Sequence, residues 1–358
     1  MPAKPDWETE GAGWPLRHAS RFAEAGGVRW HVQLLGTGPA LLLLHGAGGA
    51  THSWSRLAPL LAPHFTVVAP DLPGHGFTAT PPEERLTLPG VAELAASLLR
   101  QLDVHPVLAV GHSAGAAVAA RMAIDGTIRP RGLVGVAPAL AAFDPAPGIL
   151  APLVGAVARS GIAAELLARL AMGPTLASTL RSTGSHLDAE MIELYRRLAS
   201  HPGHVNGVLT MMSRWDVAPL IADLPRLDVP AELVIPANDR WIDRAAVERV
   251  ARRIPRHRLV ELPGAGHLAH EEMPGPVAGI ILRFAREVGA LPETSAAADG
   301  QASRVVDPRV VEPGVAGPSV VDPGVVGPGA LDPDVVGPGA VAPGIVGPGI
   351  VDPGATAG

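Results

Sequence analysis

The pentapeptide Gly111–Gly115 has the spacing of a serine nucleophile. It reads Gly-His-Ser-Ala-Gly, and it lies between a short apolar run and a segment with helical patterning. Such a strand-to-helix turn raises the serine hydroxyl to the top of a sheet, and it needs glycines because it leaves no room for side chains. We therefore predict that Ser113 is a nucleophile and that Gly111, His112 and Gly115 complete the turn. The alternative is a serine that only caps the following helix.

A serine nucleophile needs a base, and the loop after the last predicted strand offers His267. The segment Leu262–His267 contains two glycines, which let an imidazole reach the serine from a neighbouring strand end. His270 forms an H-x-x-H pair with His267 that could bind a metal, but no H-E-x-x-H helix and no third ligand accompany it. We therefore predict no metal. We expect His270, Glu271 and Glu272 to begin the final helix, where acidic side chains complement the helix dipole.

The base in turn needs a carboxylate that holds its Nδ1 proton and stabilises the imidazolium formed during attack. Asp239 follows a predicted strand and precedes His267, in the chain order Ser, Asp, His. Asp243 and Asp144 are the alternatives. Asp239 is preferred because it lies where its strand ends, and folds of this type collect their chemistry at the carboxyl ends of strands.

The segment Leu41–Gly49 is a predicted buried strand that ends in a glycine-rich loop. Such a loop can bring backbone N–H groups close to a developing oxyanion, and we assign the two donors to the amides of Ala47 and Ala114. His45 is interpreted as a packing residue that braces the loop. A phosphate-binding loop is disfavoured because no Gly-Lys-Ser/Thr follows. The combined pattern predicts acyl transfer by a serine hydrolase without a cofactor, acting on an ester, a thioester or an amide.

Residues from about 15 to 290 alternate strand-like and helix-like segments, which predicts an α/β fold. The pair Gly26-Gly27 separates the first two strand candidates and predicts a β-hairpin. The later strands are short apolar runs separated by helices, so a parallel, doubly wound sheet with right-handed crossovers is expected. The predicted strands are Ser20–Ala25, Val28–Leu35, Ala40–Leu44, Thr66–Ala69, Val107–Val110, Gly132–Val136, Ala231–Ile235 and Arg258–Leu262. The predicted helices are Trp54–Leu61, Val91–Leu102, Ala114–Asp125 and Arg244–Arg253.

Two parts of the chain depart from this alternation. Residues 140–224 are apolar and helical without a strand candidate, which predicts a helical cap inserted into the core. From Val305 to Gly354 a pentad of the form Val-Val-x-Pro-Gly repeats. A proline at every fifth residue is incompatible with helices and sheets, so a disordered tail is expected. The predicted organisation is a core over residues 1–139 and 225–290, a cap over 140–224 and a tail over 291–358.

Composition excludes several classes of protein. The 358 residues contain no cysteine, which rules out disulfides, thiolate metal sites and a cysteine nucleophile. A net charge of -6 disfavours nonspecific binding to nucleic acid, so no nucleic-acid partner is expected. The segment Met1–Glu8 lacks the apolar region of a signal peptide, and no run of about 18 uncharged apolar residues occurs. We expect a cytoplasmic protein without a transmembrane segment.

Several stretches resemble a known family. His45-Gly46, Ala69–Gly76 and Gly111–Ser113 are common to α/β hydrolases as a class, and together with the cap they imply the α/β-hydrolase fold. More specific stretches, which span about residues 14 to 285, are similar to the magnesium-chelatase accessory proteins of bacteriochlorophyll biosynthesis in photosynthetic bacteria. These stretches are Trp14-Pro15, Ala19–Phe22, Arg29–Gln33, Thr51–Trp54, Gly76–Thr78, Ser182–Ser185, Met211-Met212, Trp215-Asp216 and His267–Glu272.

The resemblance implies a role at or near magnesium insertion into protoporphyrin IX, with magnesium-chelatase subunits as partners. The three predicted triad positions match the family pattern. Cap methionines offer flexible apolar surface for an apolar acyl or porphyrin substrate, and the alternative is that they fill the core of the cap. Two functions remain open: a serine esterase that serves this pathway, or a non-catalytic porphyrin-binding or chelatase-assembly factor. The methionines concerned are Met172, Met191, Met211 and Met212.

Overall fold

Eight strands form a single sheet in the described part of the chain, with the order β1-β2-β4-β3-β5-β6-β7-β8. The structure is a computed structural model, and it describes residues 3–141, 165, 166, 168 and 174–293. The strands are β1 (Ser20–Ala25), β2 (Val28–Leu35), β3 (Ala40–Leu44), β4 (Thr66–Pro70), β5 (Leu108–His112), β6 (Gly132–Val136), β7 (Ala231–Pro236) and β8 (His257–Leu262).

The sheet is mostly parallel. Strands β1 and β2 form an antiparallel hairpin, and the turn between them uses positive φ angles of 61° at Gly26 and 76° at Gly27. Strand β2 is also antiparallel to β4, whereas all pairings from β4 through β3, β5, β6 and β7 to β8 are parallel. The predicted α/β fold, with its opening hairpin and parallel sheet, is confirmed.

Helices cover both faces of this sheet. Along β3, Leu42 and Leu44 pack into one apolar cluster, and Leu41 and Leu43 pack into a second cluster on the other face. This alternation follows from the period of two in a strand, and it shows why a run of four leucines can be wholly buried. The helices are α1 (Trp7–Glu10), α2 (Ala58–Leu61), α3 (Leu88–Gln101), α4 (Ala114–Ile124), α5 (Thr175–Ser182), α6 (Ala189–Ala199), α7 (Pro202–Ser213), α8 (Ala218–Asp223), α9 (Arg244–Ala251), α10 (Ala269–Glu272) and α11 (Pro274–Glu287).

Helix α3 begins at Leu88, three residues before the predicted start, and α4 and α9 end one and two residues early. Two other helix predictions each missed a break, and proline explains both. The predicted helix Trp54–Leu61 is a 3-10 turn at Thr51–Trp54 followed by α2, because Pro59 has no N–H for a continuous helix and instead occupies the first turn of α2. The predicted final helix from His270 is split in the same way. Helix α10 ends at Glu272, and α11 begins anew at Pro274.

Between β6 and β7, helices α5, α6, α7 and α8 replace the strand-helix alternation. Residues Met191, Leu194 and Leu198 of α6 pack with Trp14 and Phe77. The division into a core and a cap at residues 140–224 stays a prediction. Most of residues 142–173 and the predicted tail beyond residue 293 lie outside the described residues. No helix in the described ranges combines the length and the apolar character needed to cross a bilayer.

Candidate active site

Ser113 lies in a strained turn between β5 and α4. Its φ of 50° and ψ of -117° are unusual for a residue with a side chain, and strain of this kind persists only where surrounding contacts hold it. The Ser113 N–H donates to the carbonyl oxygen of Val136, 3.0 Å away. A Cβ at Gly111 would lie 2.4 Å from the Ala116 Cα, and one at Gly115 would lie 2.0 Å from the Leu44 oxygen. Both flanking glycines are therefore required by close backbone packing.

The predicted base and acid are joined by a hydrogen bond. His267 Nδ1 lies 2.9 Å from Asp239 Oδ2, and each side chain is only 5% exposed. The other carboxylate oxygen, Oδ1, accepts the N–H groups of Trp241 at 2.8 Å and Ile242 at 3.0 Å, which fixes the orientation of the carboxylate. A carboxylate only accepts hydrogen bonds, so Nδ1 carries the imidazole proton and Nε2 keeps its lone pair.

The competing acid and the second histidine of the H-x-x-H pair have other partners. Asp243 caps α9 by accepting from the backbone of Ala245 at 3.1 Å and Ala246 at 3.2 Å. The His270 imidazole lies 2.8 Å from Ser53 Oγ, with its Nε2 facing the hydroxyl, and it is wholly buried. His267 and His270 thus face different groups. Asp144 lies outside the described residues.

His112 joins the turn around Ser113 to the loop that contains His267. Its Nε2–H donates to the carbonyl oxygen of His267 at 3.0 Å, and the two rings are 4.8 Å apart between centroids. Burial lowers the pKa of His112 well below its usual value, so this ring is neutral. Within the described residues, no hydrogen bond joins the Ser113 hydroxyl to His267. Such bonds are often long before a substrate is bound.

The glycine-rich loop after β3 lies against Ser113. A Cβ at Gly46 would be 3.0 Å from the Ser113 Cβ. Residues 46–49 form a turn closed by a 3.1 Å bond from the Gly49 N–H to the Gly46 oxygen, and the φ of 81° at Gly48 makes it type II with Ala47 at its second position. His45 braces the loop. Its Nδ1–H donates to the Gly46 oxygen at 2.8 Å, and its Nε2 accepts the N–H of Leu72 at 2.8 Å.

Glu271 and Glu272 lie in the first turn of α10, and their carboxyl groups bond to other parts of the chain. The Glu271 carboxyl group is buried, where it accepts hydrogen bonds from the hydroxyls of Ser53 and of Tyr195, the latter at 2.7 Å. Burial raises the pKa of Glu271 to about 7. Glu272 accepts from the backbone N–H of Gly266 at 2.8 Å, beside the predicted base. The predicted place of both residues in a first helical turn is confirmed, but their carboxyl groups bond to groups outside this short helix.

Two methionines of the predicted cap are packed in apolar clusters, and a third is exposed. Met191 and Met211 are each 1% exposed within apolar clusters, and Met212 is exposed at 44%. Met172 lies outside the described residues. The burial of Met191 and Met211 therefore favours the alternative in which the methionines fill a core, whereas the exposed Met212 does not.

Comparison with known proteins agrees with the fold and with the position of the motifs. Residues 41–280 match the family described as "Alpha/beta hydrolase family". The chain belongs to the alpha/beta hydrolase family. The match covers the turn around Ser113, the glycine-rich loop after β3 and the loop that contains His267.

Individual relatives are consistent with this assignment. The chain is 36% identical to the "Magnesium-chelatase 30 kDa subunit" of Rhodobacter capsulatus, over 76% of this chain and 96% of the relative. It is 30% identical to the "Pimeloyl-[acyl-carrier protein] methyl ester esterase" of Aeromonas hydrophila, over 71% and 98%. A solved "alpha/beta hydrolase fold protein" from Burkholderia ambifaria superimposes with a TM-score of 0.64 at 24% identity, covering 79% and 100%, which supports the fold alone.

Proposed function

We propose that the chain is a serine hydrolase that cleaves a carboxylic ester, with Ser113 as nucleophile, His267 as base and Asp239 as the carboxylate partner of the base. The observation that carries this proposal is the 2.9 Å bond between His267 Nδ1 and Asp239 Oδ2, because it leaves the Nε2 lone pair available to a hydroxyl. The strained turn at Ser113 supports the assignment of the nucleophile.

The proposed reaction has two halves. His267 Nε2 takes the proton of Ser113 Oγ as the oxygen attacks the ester carbonyl carbon, and the amides of Ala47 and Ala114 stabilise the oxyanion. The imidazolium then protonates the leaving alcohol, which departs and leaves an acyl group on Ser113. In the second half, His267 deprotonates a water that attacks this acyl group, and it returns the proton to Ser113 Oγ as the carboxylic acid is released.

We further propose that the ester belongs to bacteriochlorophyll biosynthesis and that the protein acts as a magnesium-chelatase accessory factor. The support is the 36% identity with the Rhodobacter capsulatus protein along nearly its whole length, and the substrate would be an apolar acyl or porphyrin ester. Identity with an esterase over 71% of the chain supports ester cleavage as the reaction type.

The second candidate is a porphyrin-binding or chelatase-assembly factor that keeps the triad without turnover, with magnesium-chelatase subunits as its partners. One observation favours it: the printed name of the Rhodobacter capsulatus relative is that of a chelatase subunit. Both candidates predict that the protein binds a ligand or a partner, but only the serine hydrolase predicts that Ser113 is an activated nucleophile.

The deciding experiment labels the protein with a fluorophosphonate probe and tests pigment formation in a strain that lacks the gene. We expect wild type and the control Ser178→Ala, an exposed serine on α5, to be labelled, and Ser113→Ala to be neither labelled nor able to restore pigment. If wild type is not labelled and Ser113→Ala restores pigment, the hydrolase proposal fails and the assembly factor is favoured.

A further inference from the structure

Two stretches that resemble the magnesium-chelatase accessory proteins, Ser182–Ser185 in the predicted cap and His267–Glu272 after β8, are hydrogen-bonded to each other. Three consecutive backbone N–H groups centred on the predicted base each have an acceptor. Gly266 donates to Glu272 Oε2 at 2.8 Å. His267 donates to the carbonyl oxygen of Thr183 at 3.3 Å, and Leu268 donates to Ser185 Oγ at 2.8 Å.

Glu272 is also bound to the cap segment. While its Oε2 holds Gly266, its Oε1 accepts the backbone N–H of His186 at 2.6 Å. The carboxylate therefore bridges two chain segments that are 80 residues apart. Two backbone N–H groups on one carboxylate form charge-assisted bonds, which are shorter and stronger than bonds between neutral groups. The N–H groups of His267 and Leu268 thus bond directly to the cap segment, and that of Gly266 bonds to Glu272, which also accepts a hydrogen bond from the cap segment.

The same cap segment contacts the loop of the predicted acid. The Thr183 oxygen accepts the N–H of Arg240 at 3.1 Å as well as that of His267. Gly184, with a φ of 86°, packs so closely that a Cβ would lie 1.9 Å from the Asn238 oxygen. On its other side, a Cβ at Gly266 would lie 2.3 Å from the Gly184 carbon. Only glycines permit this packing, which brings the acid loop and the base loop onto one piece of the cap.

We propose that Ser185 and Glu272 are positioning residues that connect the cap to the base. They touch no reacting atom. They fix the backbone on either side of His267, and thereby the direction in which its Nε2 faces Ser113. This inference rests on the proposed function, since a base must be held within about 0.5 Å of its productive place for proton transfer to be efficient. Ser185 is 1% exposed, so water cannot replace the hydroxyl that Leu268 loses in a variant.

The first test is kinetic, with an activated ester such as p-nitrophenyl butyrate. Ser185→Ala is expected to lower kcat about tenfold to a hundredfold and to change KM less than about twofold, because misplacing a catalytic group by about 1 Å costs up to a hundredfold in rate. The control Ser200→Ala removes a cap hydroxyl that bonds the Arg197 oxygen at 2.7 Å, and we expect its kcat to stay within about twofold of wild type. A Ser185→Ala enzyme with normal kcat would overturn the inference.

The second test does not need turnover. The His267 Nδ1 proton bound to Asp239 is expected to give a downfield proton NMR signal, whose exchange rate with water would measure how firmly the ring is held. We expect exchange to be about tenfold faster in Ser185→Ala and in Glu272→Gln, but unchanged in Ser200→Ala and Glu93→Gln, an exposed glutamate on α3. Glu272→Gln serves if Ser185→Ala does not fold.

The two tests separate the two possible failures. If wild type shows no labelling of Ser113, the proposed function fails, but faster exchange in Ser185→Ala still supports the positioning role. If Ser113 is labelled and neither Ser185→Ala nor Glu272→Gln changes the exchange of the His267 proton, the proposed function stands and the positioning role is refuted.

Discussion

Asp239→Asn tests the proposed chemistry with a change of one atom in one side chain. In the native site Asp239 Oδ2 accepts the His267 Nδ1 proton, and Oδ1 holds two backbone N–H groups. An asparagine can keep its oxygen on those N–H groups, which places its NH2 against Nδ1. The imidazole must then carry its proton on Nε2, facing Ser113, where it cannot act as a base.

The expected loss follows from that change of tautomer. The same substitution in a serine protease triad lowers kcat about 10⁴-fold, and we expect a loss of this order, equivalent to about 5.4 kcal/mol of transition-state stabilisation. The free energy of unfolding should change by no more than about 1 kcal/mol, because the turn at Trp241 and Ile242 keeps its acceptor. The assay is p-nitrophenyl ester hydrolysis at saturating substrate, with thermal unfolding measured in parallel.

Asp243→Asn is the matched control. Asp243 lies four residues away and caps α9, a position that asparagine fills equally well, so kcat should stay within about twofold. The reasoning is refuted if Asp239→Asn keeps more than a tenth of wild-type kcat, or if Asp243→Asn loses as much as Asp239→Asn does.

Two further predictions concern the oxyanion loop and the buried glutamate. Ala47→Pro removes one proposed oxyanion donor at the turn position that proline prefers, so kcat should fall about 10²- to 10³-fold in the ester assay while the melting temperature is kept. Burial raises the folded pKa of Glu271 above the unfolded value, so wild type is expected to lose roughly 3 kcal/mol of unfolding free energy as pH rises from 4.5 to about 7. Glu271→Gln should remove this loss. Urea unfolding at pH 5 and 7.5 measures the difference.

Either prediction can fail in a recognisable way. An Ala47→Pro enzyme with normal kcat would remove Ala47 from the oxyanion site. For Glu271 the sign is fixed: the protonated carboxyl is favoured in the folded state, so the unfolded chain gives up its proton first and stability falls with rising pH. A wild-type protein whose stability relative to Glu271→Gln increases between pH 5 and 7.5 would contradict the burial argument.

The elements that could be predicted from the sequence are those whose structure is determined by residues close together in the chain. The run of leucines in β3, the Gly26-Gly27 turn and the glycines around Ser113 each impose their structure within a few residues. The starts of α2 and α11 differ from the predicted helices because Pro59 and Pro274 lack the N–H that a continuous helix needs, so each lies in the first turn of a new helix.

Contacts between distant segments could not be predicted in this way. Glu271 accepts bonds from Ser53 and Tyr195, which are 218 and 76 residues away in the chain. Nothing in the local sequence distinguishes a glutamate that turns toward such partners from one on a solvated helix. One sequence feature pointed to the contact between Ser182–Ser185 and His267–Glu272: both are among the stretches that resemble the magnesium-chelatase accessory proteins. Their hydrogen bonds give a physical reason for the two stretches to occur together.

The histidines around the predicted base bear on its charge during the proposed reaction. His112 lies 4.8 Å from His267 between ring centroids, and His270 lies 4.4 Å from His112. Burial lowers the pKa of His270 to about 3 and that of His112 well below its usual value, so both rings are neutral near pH 7. A positive charge on either ring would oppose the imidazolium that forms when His267 takes the serine proton. Because these two buried histidines are neutral, Asp239 is the charged side chain bonded to His267. Its negative charge stabilises the imidazolium, and this favours the proton transfer that the proposed mechanism requires.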